Sequence, residues 1–202
     1  MIQNKKCKLC RREGIKLFLK GDRCSGSKCA LIRRPYAPGS NGKNHRPKLS
    51  DYAIQLRAKQ SAKRIYKINE NSLKKYYIKA TKSKESTAEK IIQLLQIRLD
   101  SVVYILGFAD SRNQARQIIK HGHILVNNKK VSIPSYSVKL KDKISVNKNY
   151  QSLVKNNKKS ADMPIWIKLS KNKTQGEIVK IPDHKDISTD INSELIVEFY
   201  SK

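Results

Sequence analysis

The net charge of this chain limits its fold and its partners more than any other feature of the sequence. Its 202 residues include 44 Lys and Arg against 16 Asp and Glu, which gives a formal charge of +28 at pH 7. A charge of this size repels itself unless a polyanion or dense counterions neutralise it. A hydrophobic fraction of 38% is nevertheless too high for a fully disordered chain. The sequence therefore predicts a folded protein that binds nucleic acid.

All four cysteines lie near the amino terminus, as Cys7-x2-Cys10 and Cys24-x4-Cys29. Two close pairs separated by a loop are the ligand spacing of a tetrahedral metal site, because each pair supplies two thiolates from one turn. Zn²⁺ is the predicted cofactor, and an iron–sulfur cluster or unmetallated thiols are the alternatives. Disulfides are disfavoured because the sequence predicts an intracellular protein. No signal-peptide core precedes Cys7, and no apolar run reaches the roughly 18 residues of a membrane span.

Two helices are predicted after a loop at residues 33–47 that is rich in proline and glycine. Ser50 is the predicted N-cap of the first, which runs for about 15 residues with Ala53 and Leu56 directed inward. The outward positions of this helix are basic: Arg57, Lys59, Lys63 and Arg64. The second helix is predicted to follow Asn69.

Capping boxes mark two further helices. The first begins at Ser86 and opens an apolar pattern with three-to-four spacing that continues to Gly107. The second begins at Ser111 and ends at His121-Gly122. Its basic residues recur every four positions and therefore share one face: Arg112, Arg116 and Lys120.

A β-hairpin is predicted directly after this basic helix. His123 to Val126 form one strand, Asn127-Asn128 form a turn that tolerates positive φ, and Lys129 to Val131 return as the partner strand. A basic helix face beside a hairpin with further cations can bridge successive phosphates and contact a shallow minor groove. An ordinary solvated helix face is the alternative, which the additional cations of the hairpin disfavour.

The carboxy-terminal part is predicted to form short strands, at Ile165–Leu169, Ile178–Ile181 and Leu195–Tyr200. Residues 177–202 contain six acidic and three basic residues, the reverse of the balance in the rest of the chain. A segment that bound RNA has no reason to be acidic, so we expect it to contact protein. The apolar residues proposed for that contact are Ile196, Val197, Phe199 and Tyr200; a core strand with its acids in solvent is the alternative.

Residues 98–124, together with Val126-Asn127, Val131, 134–136 and Asp142, closely resemble the RNA-binding module of ribosomal protein S4. The amino-terminal part is similar to the same family at Cys7–Gly14, Leu19–Gly21, Arg33–Tyr36, Pro38-Gly39 and Ser50–Tyr52, and the ending at Ile196–Ser201. The resemblance covers essentially the whole chain. It departs at two turns, where the family's usual glycine is replaced by Asn128 and Lys141; a lysine at the second should strain or reshape that turn.

The resemblance implies a structural constituent of the small ribosomal subunit. Members of this family are primary binders of small-subunit ribosomal RNA, nucleate assembly of the subunit body and contribute to translational accuracy. It further implies neighbouring small-subunit proteins, including ribosomal protein S5, and messenger RNA near the entry channel as partners. The expected location is the small subunit in the cytoplasm, with an organellar ribosome as the alternative.

Two other classes of protein carry the same module. An RNA-modifying enzyme would need a catalytic domain, and no Gly-rich phosphate loop or Ser/His/Asp arrangement is recognisable, so catalysis is not predicted. A free RNA-binding regulator would leave the cysteine segment and the carboxy-terminal segment unexplained.

The predicted fold class is α+β, with four parts. These are a metal-binding knuckle and basic loop (1–48), a helical part (49–96), the RNA-binding module (97–160) and carboxy-terminal strands (161–202). The predicted RNA contacts of the first two parts are Arg11, Arg12, Lys16, Lys20, Arg33, Arg34, Lys43, Arg46, Lys48, Arg57, Lys59, Lys63 and Arg64. Those of the module are Arg112, Arg116, Lys120, His121, His123, Asn127, Lys129 and Lys130.

Overall fold

A computed structural model describes residues 6–39, 42, 48–155, 163–183, 186–187 and 191–201. Two of the predicted RNA contacts, Lys43 and Arg46, lie outside the described residues. The chain forms two compact units. Residues 1–82 and 190–202 make up the helical unit, and residues 83–189 make up the sheet unit. The predicted parts are therefore regrouped: residues 83–96 belong with the module, and the last residues of the chain belong with the amino-terminal part.

The described helices are α1 (Lys6–Glu13), α2 (Ala30–Arg33), α3 (Asp51–Tyr66), α4 (Glu70–Thr81), α5 (Thr87–Gln96), α6 (Leu99–Ile105), α7 (Arg112–Lys120), α8 (Gln151–Lys155) and α9 (Ser193–Ser201). The described strands are β1 (Ile124–Val126), β2 (Lys129–Lys130), β3 (Lys143–Val146), β4 (Ile167–Leu169) and β5 (Gln175–Ile178). All strand pairs are antiparallel, in the order β2-β1-β3-β5-β4. Mixed helices and antiparallel sheet agree with the predicted α+β class.

Helix α3 begins at its predicted cap, because the Ser50 hydroxyl accepts a hydrogen bond from the Ala53 N–H. Asn69 caps α4 in the same way. The buried face of α3 differs from the prediction: Lys59, expected to point outward, is 6% exposed, and Gln55 is also buried. Both face α9: the Gln55 amide donates to the Glu198 carboxylate at 3.0 Å, and the Lys59 ammonium lies 3.9 Å from the centre of the Phe199 ring. Helical spacing alone could not reveal that α9 covers this side.

The prediction of a strand at Leu195–Tyr200 is wrong, because these residues lie in α9. The Asn192 side chain accepts hydrogen bonds from the N–H groups of Glu194 and Leu195 and so satisfies donors at the start of this helix. Ile196, fully buried, packs within the helical unit. The apolar residues predicted to contact another protein thus belong to a helix that packs mainly on α3 of the same chain.

The apolar pattern from Ser86 to Gly107 is divided between two helices. Helix α5 ends at Gln96, and the extended residue Arg98 forms an antiparallel bridge with Ser137 before α6 begins. The Leu99 N–H is bonded to the Tyr136 carbonyl and the Val138 N–H to that of Ile97. Pairing with a segment distant in sequence therefore overrides the helical periodicity. Ser86 is the N-cap residue of α5 as predicted, but its side chain makes no capping hydrogen bond.

The core of the sheet unit lies between the sheet and helices α6 and α7. Its largest fully buried side chain is Trp166, which packs with Phe108, Ile119 and Ile144. Strands β4 and β5 confirm that the carboxy-terminal part begins with sheet, although the second lies at Gln175–Ile178 rather than Ile178–Ile181. Among the described residues, the helices are too short or too polar to cross a bilayer.

The two turns that lack the usual glycine both adopt left-handed backbone. Asn127 and Asn128 have φ values of 49° and 64°, as expected for a two-residue hairpin turn, and they join β1 to β2. Lys141 has φ of 64°, so the lysine occupies the conformation that glycine prefers. Asp142 holds this turn, because its carboxylate accepts the Lys139 N–H at 2.8 Å.

Candidate nucleic-acid interface

The candidate interface of the sheet unit is built by α7 and the hairpin β1–β2. Ser111 caps α7 as predicted, accepting the Gln114 N–H at 3.3 Å. The helix ends at Lys120, and Gly122, two residues later, has a φ of 74° that lets the chain turn directly into β1. His121 and His123 flank this turn, so the end of the helix and the start of the strand present their side chains together.

Three of the predicted cations are exposed at this junction, one at the end of α7 and two on β2, namely Lys120, Lys129 and Lys130. The side chain of Lys130 lies across Gly122, where a Cβ atom would be only 1.8 Å from the Lys130 Cε. The glycine therefore allows the hairpin lysine to approach the end of α7. We name these three residues the lysine cluster. It is the part of the predicted basic face that is free for phosphate binding.

The other two cations of the predicted helix face, Arg112 and Arg116, do have partners within the chain. The Arg116 guanidinium donates to the buried Asp100 carboxylate at 2.9 Å, and that of Arg112 lies 4.6 Å from the centre of the Tyr104 ring. Asp100 is 1% exposed and also receives two hydrogen bonds from Arg98, itself 3% exposed. Arg112 and Arg116, predicted from their four-residue spacing to form a basic face, therefore help to hold α7 in place.

Asn127, predicted to contact RNA, makes hydrogen bonds within the chain. Its side-chain amide donates to the Asp142 carboxylate at 2.8 Å, and its side-chain oxygen accepts the Lys143 N–H at 2.9 Å. These bonds fix the hairpin against β3. Asn127 and Asp142, both among the residues that resemble the S4 family, thus bind each other, which the local sequence does not indicate.

Three aromatic rings are stacked beside the lysine cluster. The rings of His121 and His123 are nearly parallel with centroids 6.1 Å apart, and Tyr150 lies 4.8 Å beyond His123. The two histidines were expected at the interface, whereas Tyr150 was not. Tyr150 follows them by more than twenty residues, so no local pattern in the sequence indicates that it joins them.

In the helical unit, Arg11 and Arg12 are directed at the chain segment that follows α2. The Arg11 guanidinium donates to the carbonyls of Tyr36 and Ala37, at 2.9 Å and 3.3 Å. Arg12 donates to the Pro38 carbonyl at 3.4 Å. These two predicted RNA contacts therefore brace the start of the basic loop.

A cavity beside α1 gathers further cations of the predicted set. Its lining residues are Cys7, Lys8, Arg11, Arg23, Lys28, Ala30, Arg33 and Arg34. Arg33 and Arg34 are exposed, as are Lys20 and Lys48 outside the cavity, while Lys16 is half-buried. A concentration of guanidinium and ammonium groups of this kind is suited to phosphate.

The basic residues of α3 are paired with carboxylates instead of facing solvent freely. Glu13, whose side chain has no exposed surface, binds Arg57 at 3.3 Å and also Arg64. Glu70 binds Lys59 at 3.0 Å and Lys63 at 2.7 Å. The prediction that all four line an open RNA surface did not foresee these acidic partners.

Glu70 is held ionised by its neighbours. Burial alone would raise the pKa of Glu70, but hydrogen bonds from Lys63, Tyr200 and Lys59 outweigh it and lower that pKa to about 2. Burial, together with the hydrogen bond that the Tyr200 hydroxyl donates to Glu70 at 2.6 Å, raises the pKa of the Tyr200 phenol. The contacts of Glu70 with Lys59, Lys63 and Tyr200 link α3, α4 and α9.

We expect this carboxylate to make the helical unit sensitive to acid. A lowered folded-state pKa adds stability that is present above the ordinary glutamate pKa of 4.5 and is lost as pH falls towards 2. Because the Glu70 side chain is 41% exposed, solvent screening reduces the contribution to about 1 kcal/mol. Urea unfolding between pH 6 and about 2.5 should lose that amount in the wild type and not in Glu70→Gln. Glu194→Gln, an exposed position on α9, is the control that should keep the wild-type slope.

The four cysteines occupy the ends of neighbouring elements in the helical unit. Cys7 and Cys10 lie on α1, Cys24 ends a short 3-10 helix at Gly21–Cys24, and Cys29 precedes α2. All four are free thiols; Cys7 is partly exposed and the others are buried. The Lys20 N–H donates to the Cys24 sulfur at 3.4 Å.

The pKa of Cys10 is affected by the other three cysteines. Burial raises the pKa of the Cys10 thiol, and repulsion from the other three cysteines adds to the rise against a hydrogen bond from the Leu17 backbone. Among the described residues, no three His, Cys, Asp or Glu side chains form a group able to hold a metal ion. Four thiols on neighbouring elements are nevertheless a donor set that suits zinc, and the metal site stays a prediction.

Comparison with known families places the chain's sequence among ribosomal proteins. Residues 2–96 match the family described as the ribosomal protein S4/S9 N-terminal domain. Residues 97–144 match the S4 domain. The second match contains α6, α7 and the hairpin, and hence the lysine cluster and both stacked histidines.

Curated relatives extend the similarity over nearly the whole chain. The small ribosomal subunit protein uS4 of Clostridium beijerinckii is 48% identical over 202 residues, which covers 97% of this chain and 96% of the relative. The protein of the same name from Acetivibrio thermocellus is 48% identical over 201 residues, and that from Acidobacterium capsulatum is 44% identical, with the same coverage. The similarity therefore extends over the sequence of both units.

Proposed function

Because the chain belongs to the ribosomal protein S4 family, we propose that it is a structural component of the small ribosomal subunit that binds small-subunit ribosomal RNA. The observation that carries this proposal is the lysine cluster at the α7–hairpin junction, which lies within the residues matched by the S4 domain. Its relatives are ribosomal proteins, and the chain acts as a structural binder and not as an enzyme.

Binding by this chain is expected to depend mainly on phosphate contacts. The lysine cluster supplies point charges on the sheet unit, and the basic cavity beside α1 supplies them on the helical unit. Each phosphate that is neutralised releases counterions, so affinity falls steeply as salt rises. Asp100 and Asn127 contribute by fixing the elements that carry the charges.

The finer roles rest on the family resemblance. We infer that the protein binds ribosomal RNA early, nucleates assembly of the subunit body and contributes to accurate decoding. Its inferred neighbours are ribosomal protein S5 and messenger RNA near the entry channel. The inferred location is the small subunit of a cytoplasmic ribosome, with an organellar ribosome as the alternative.

A tagged copy of the full chain, expressed in a bacterium, tests the proposed function. After a high-salt wash and sedimentation, the protein should remain with small subunits at about one copy per small-subunit RNA, since structural ribosomal proteins are stoichiometric. Recovery in the large-subunit or ribosome-free fractions would contradict the proposal. An abundance far below that of the ribosomal RNA would favour a free regulator.

We also propose that the four cysteines bind Zn²⁺. Three buried thiols, with a fourth beside them on the same helix as Cys10, support it, and binding requires the sulfurs to adopt a closer arrangement than the one described. The ion would tie α1 to the start of α2, in a segment too short to bury a large core. Its chemistry there would be structural, because four thiolates leave no open position.

Elemental analysis of the purified protein is expected to give about one zinc per chain. Cys24→Ser should lose the metal and part of the helical signal, whereas the neighbouring Ser25→Ala should retain both. Wild-type protein that contains no metal when purified, and whose circular dichroism spectrum does not change when zinc is added, would refute the zinc proposal. Iron with visible absorbance would replace it by an iron–sulfur cluster.

A further inference from the structure

We propose that the rings of His121, His123 and Tyr150 form a stacking platform for one unpaired base of the bound RNA. This inference rests on the proposed function and specifies part of the ligand, namely a bulged or looped-out nucleotide. Aromatic faces that stack on unpaired bases are a general means of reading single-stranded RNA, because a base in a duplex has both faces covered.

The three rings lie nearly parallel in an offset arrangement, with His123 and Tyr150 as the closer pair. The planes of His121 and His123 are inclined by 4° and those of His123 and Tyr150 by 17°, with centroid separations of 6.1 Å and 4.8 Å. These separations lie within the range of aromatic pairs. His121 is the exposed end of the stack, and in the described part of the chain no further ring lies against it. A base can therefore continue the stack from the solvent side.

Backbone hydrogen bonds hold the rings in register before any ligand arrives. The N–H groups of His121 and His123 donate to the carbonyls of Gln117 and Ile118 in α7. The Asn147 N–H donates to the His123 carbonyl at 2.8 Å, and the Tyr150 N–H donates to the Asn147 carbonyl. The stack thus joins the end of α7 to the end of β3. Preorganisation of this kind lowers the entropic cost of binding.

Burial separates this stack from ordinary core packing. Tyr150 packs partly against the hydrophobic core of the sheet unit, whereas His121 is exposed and His123 is half-buried. Two stacked imidazoles contribute little to a core that already contains Trp166 and Phe108. Their position at the surface favours contact with a ligand.

The charges around the stack fit an RNA strand. The lysine cluster flanks the histidines, and Lys148 is exposed two residues before Tyr150. Cations that follow a phosphate backbone next to rings that accept a base are the two parts of a single-strand site. The rings supply the preference for an unpaired base, and the lysines supply affinity for RNA of any sequence.

Two RNA hairpins of equal length, one fully paired and one with a single bulged adenosine, test the platform. Binding of the full chain to both probes is measured in the same buffer and at the same salt concentration. We expect the wild type to prefer the bulged probe. His121→Ala and Tyr150→Leu should reduce that preference by about 5- to 100-fold, the value of one stacked base.

Matched variants separate stacking from charge and from unfolding. His121→Phe and Tyr150→Phe retain a ring and should retain the preference. Lys129→Gln should weaken both probes and lower the salt dependence, while Lys171→Gln, in the turn between β4 and β5, should change neither. Trp166 fluorescence reports whether each variant is folded, because this single tryptophan is buried in the sheet unit.

Equal binding of the bulged probe by wild type, His121→Ala and folded Tyr150→Leu would overturn the platform. Equal weakening of both probes would also overturn it, since that is the result of losing a phosphate contact. The same wild-type protein is titrated with small-subunit ribosomal RNA and with transfer RNA. A failure to distinguish those two RNAs would count against the proposed function itself, whereas discrimination that the ring variants keep would remove only the platform.

Discussion

Replacing Asp100 by asparagine is expected to lower the free energy of unfolding of the sheet unit by about 3–5 kcal/mol. The carboxylate accepts hydrogen bonds from Arg98 at 3.0 Å and 2.7 Å and from Arg116 at 2.9 Å. Its removal leaves the Arg98 guanidinium charged, 3% exposed and without its carboxylate partner. Urea unfolding followed by the fluorescence of Trp166, the single tryptophan of the chain, measures the loss in this unit.

Asp183→Asn is the matched control for this substitution. Asp183 pairs with Lys180 in the same unit, but both side chains are more than half exposed, so the free energy of unfolding should stay at the wild-type value. If Asp100→Asn unfolded at the same urea concentration as this control, the buried ion pairs would not be what holds α6 and α7 together.

The second large effect is expected at Glu13 in the helical unit. Its carboxylate accepts hydrogen bonds from Arg57 at 3.3 Å and from the Ser61 hydroxyl at 3.1 Å, and it also pairs with Arg64. Glu13→Gln should destabilise the unit by about 2–4 kcal/mol, less than at Asp100 because Arg57 and Arg64 keep some contact with water. Hydrogen exchange of the α3 amides and far-ultraviolet circular dichroism measure this change.

Asp22→Asn removes an exposed carboxylate from the same unit and should leave both measurements at wild-type values. Wild-type exchange rates in Glu13→Gln would contradict the account, because α1 and α3 would then be held together by apolar contacts alone.

Elements with strong local signals could be predicted from the sequence. Ser50, Asn69 and Ser111 cap their helices, and the pair Asn127-Asn128 makes the hairpin turn, since each depends on residues only a few positions away. Features that depend on contacts with distant segments of the chain could not be predicted. The break after Gln96 comes from pairing with residues 136–138.

The carboxy-terminal helix shows a different limit. Residues 195–200 are mostly apolar, and a short apolar run fits either a strand or a helix. The capping side chain of Asn192 was the available signal, and it lies outside the run. The helix is stabilised by packing on α3, which precedes it by more than a hundred residues.

The exposed lysines of the candidate site could be predicted from charge alone. The residues whose side chains bind other parts of the chain could not. Lys120, Lys129 and Lys130 are exposed, as expected for charged residues at a helix end and in a hairpin. The pairing of Arg116 with Asp100 removes part of a cation's availability, and helical spacing carries no information about such a partner. Tyr150 joins the histidines only through the fold of the sheet unit.

We propose that the chain recognises small-subunit ribosomal RNA and does not merely attract polyanions. A salt titration tests it, with a small-subunit RNA junction fragment as ligand and bulk transfer RNA as competitor. Log K should fall by about 0.7–0.9 per decade of salt for each phosphate contact, and Lys120→Gln, Lys129→Gln and Lys130→Gln combined should reduce the slope by about 2–3. Junction binding that survives the competitor at moderate salt is the predicted result. Equal loss of both RNAs, with a slope unchanged by the three substitutions, would contradict the account.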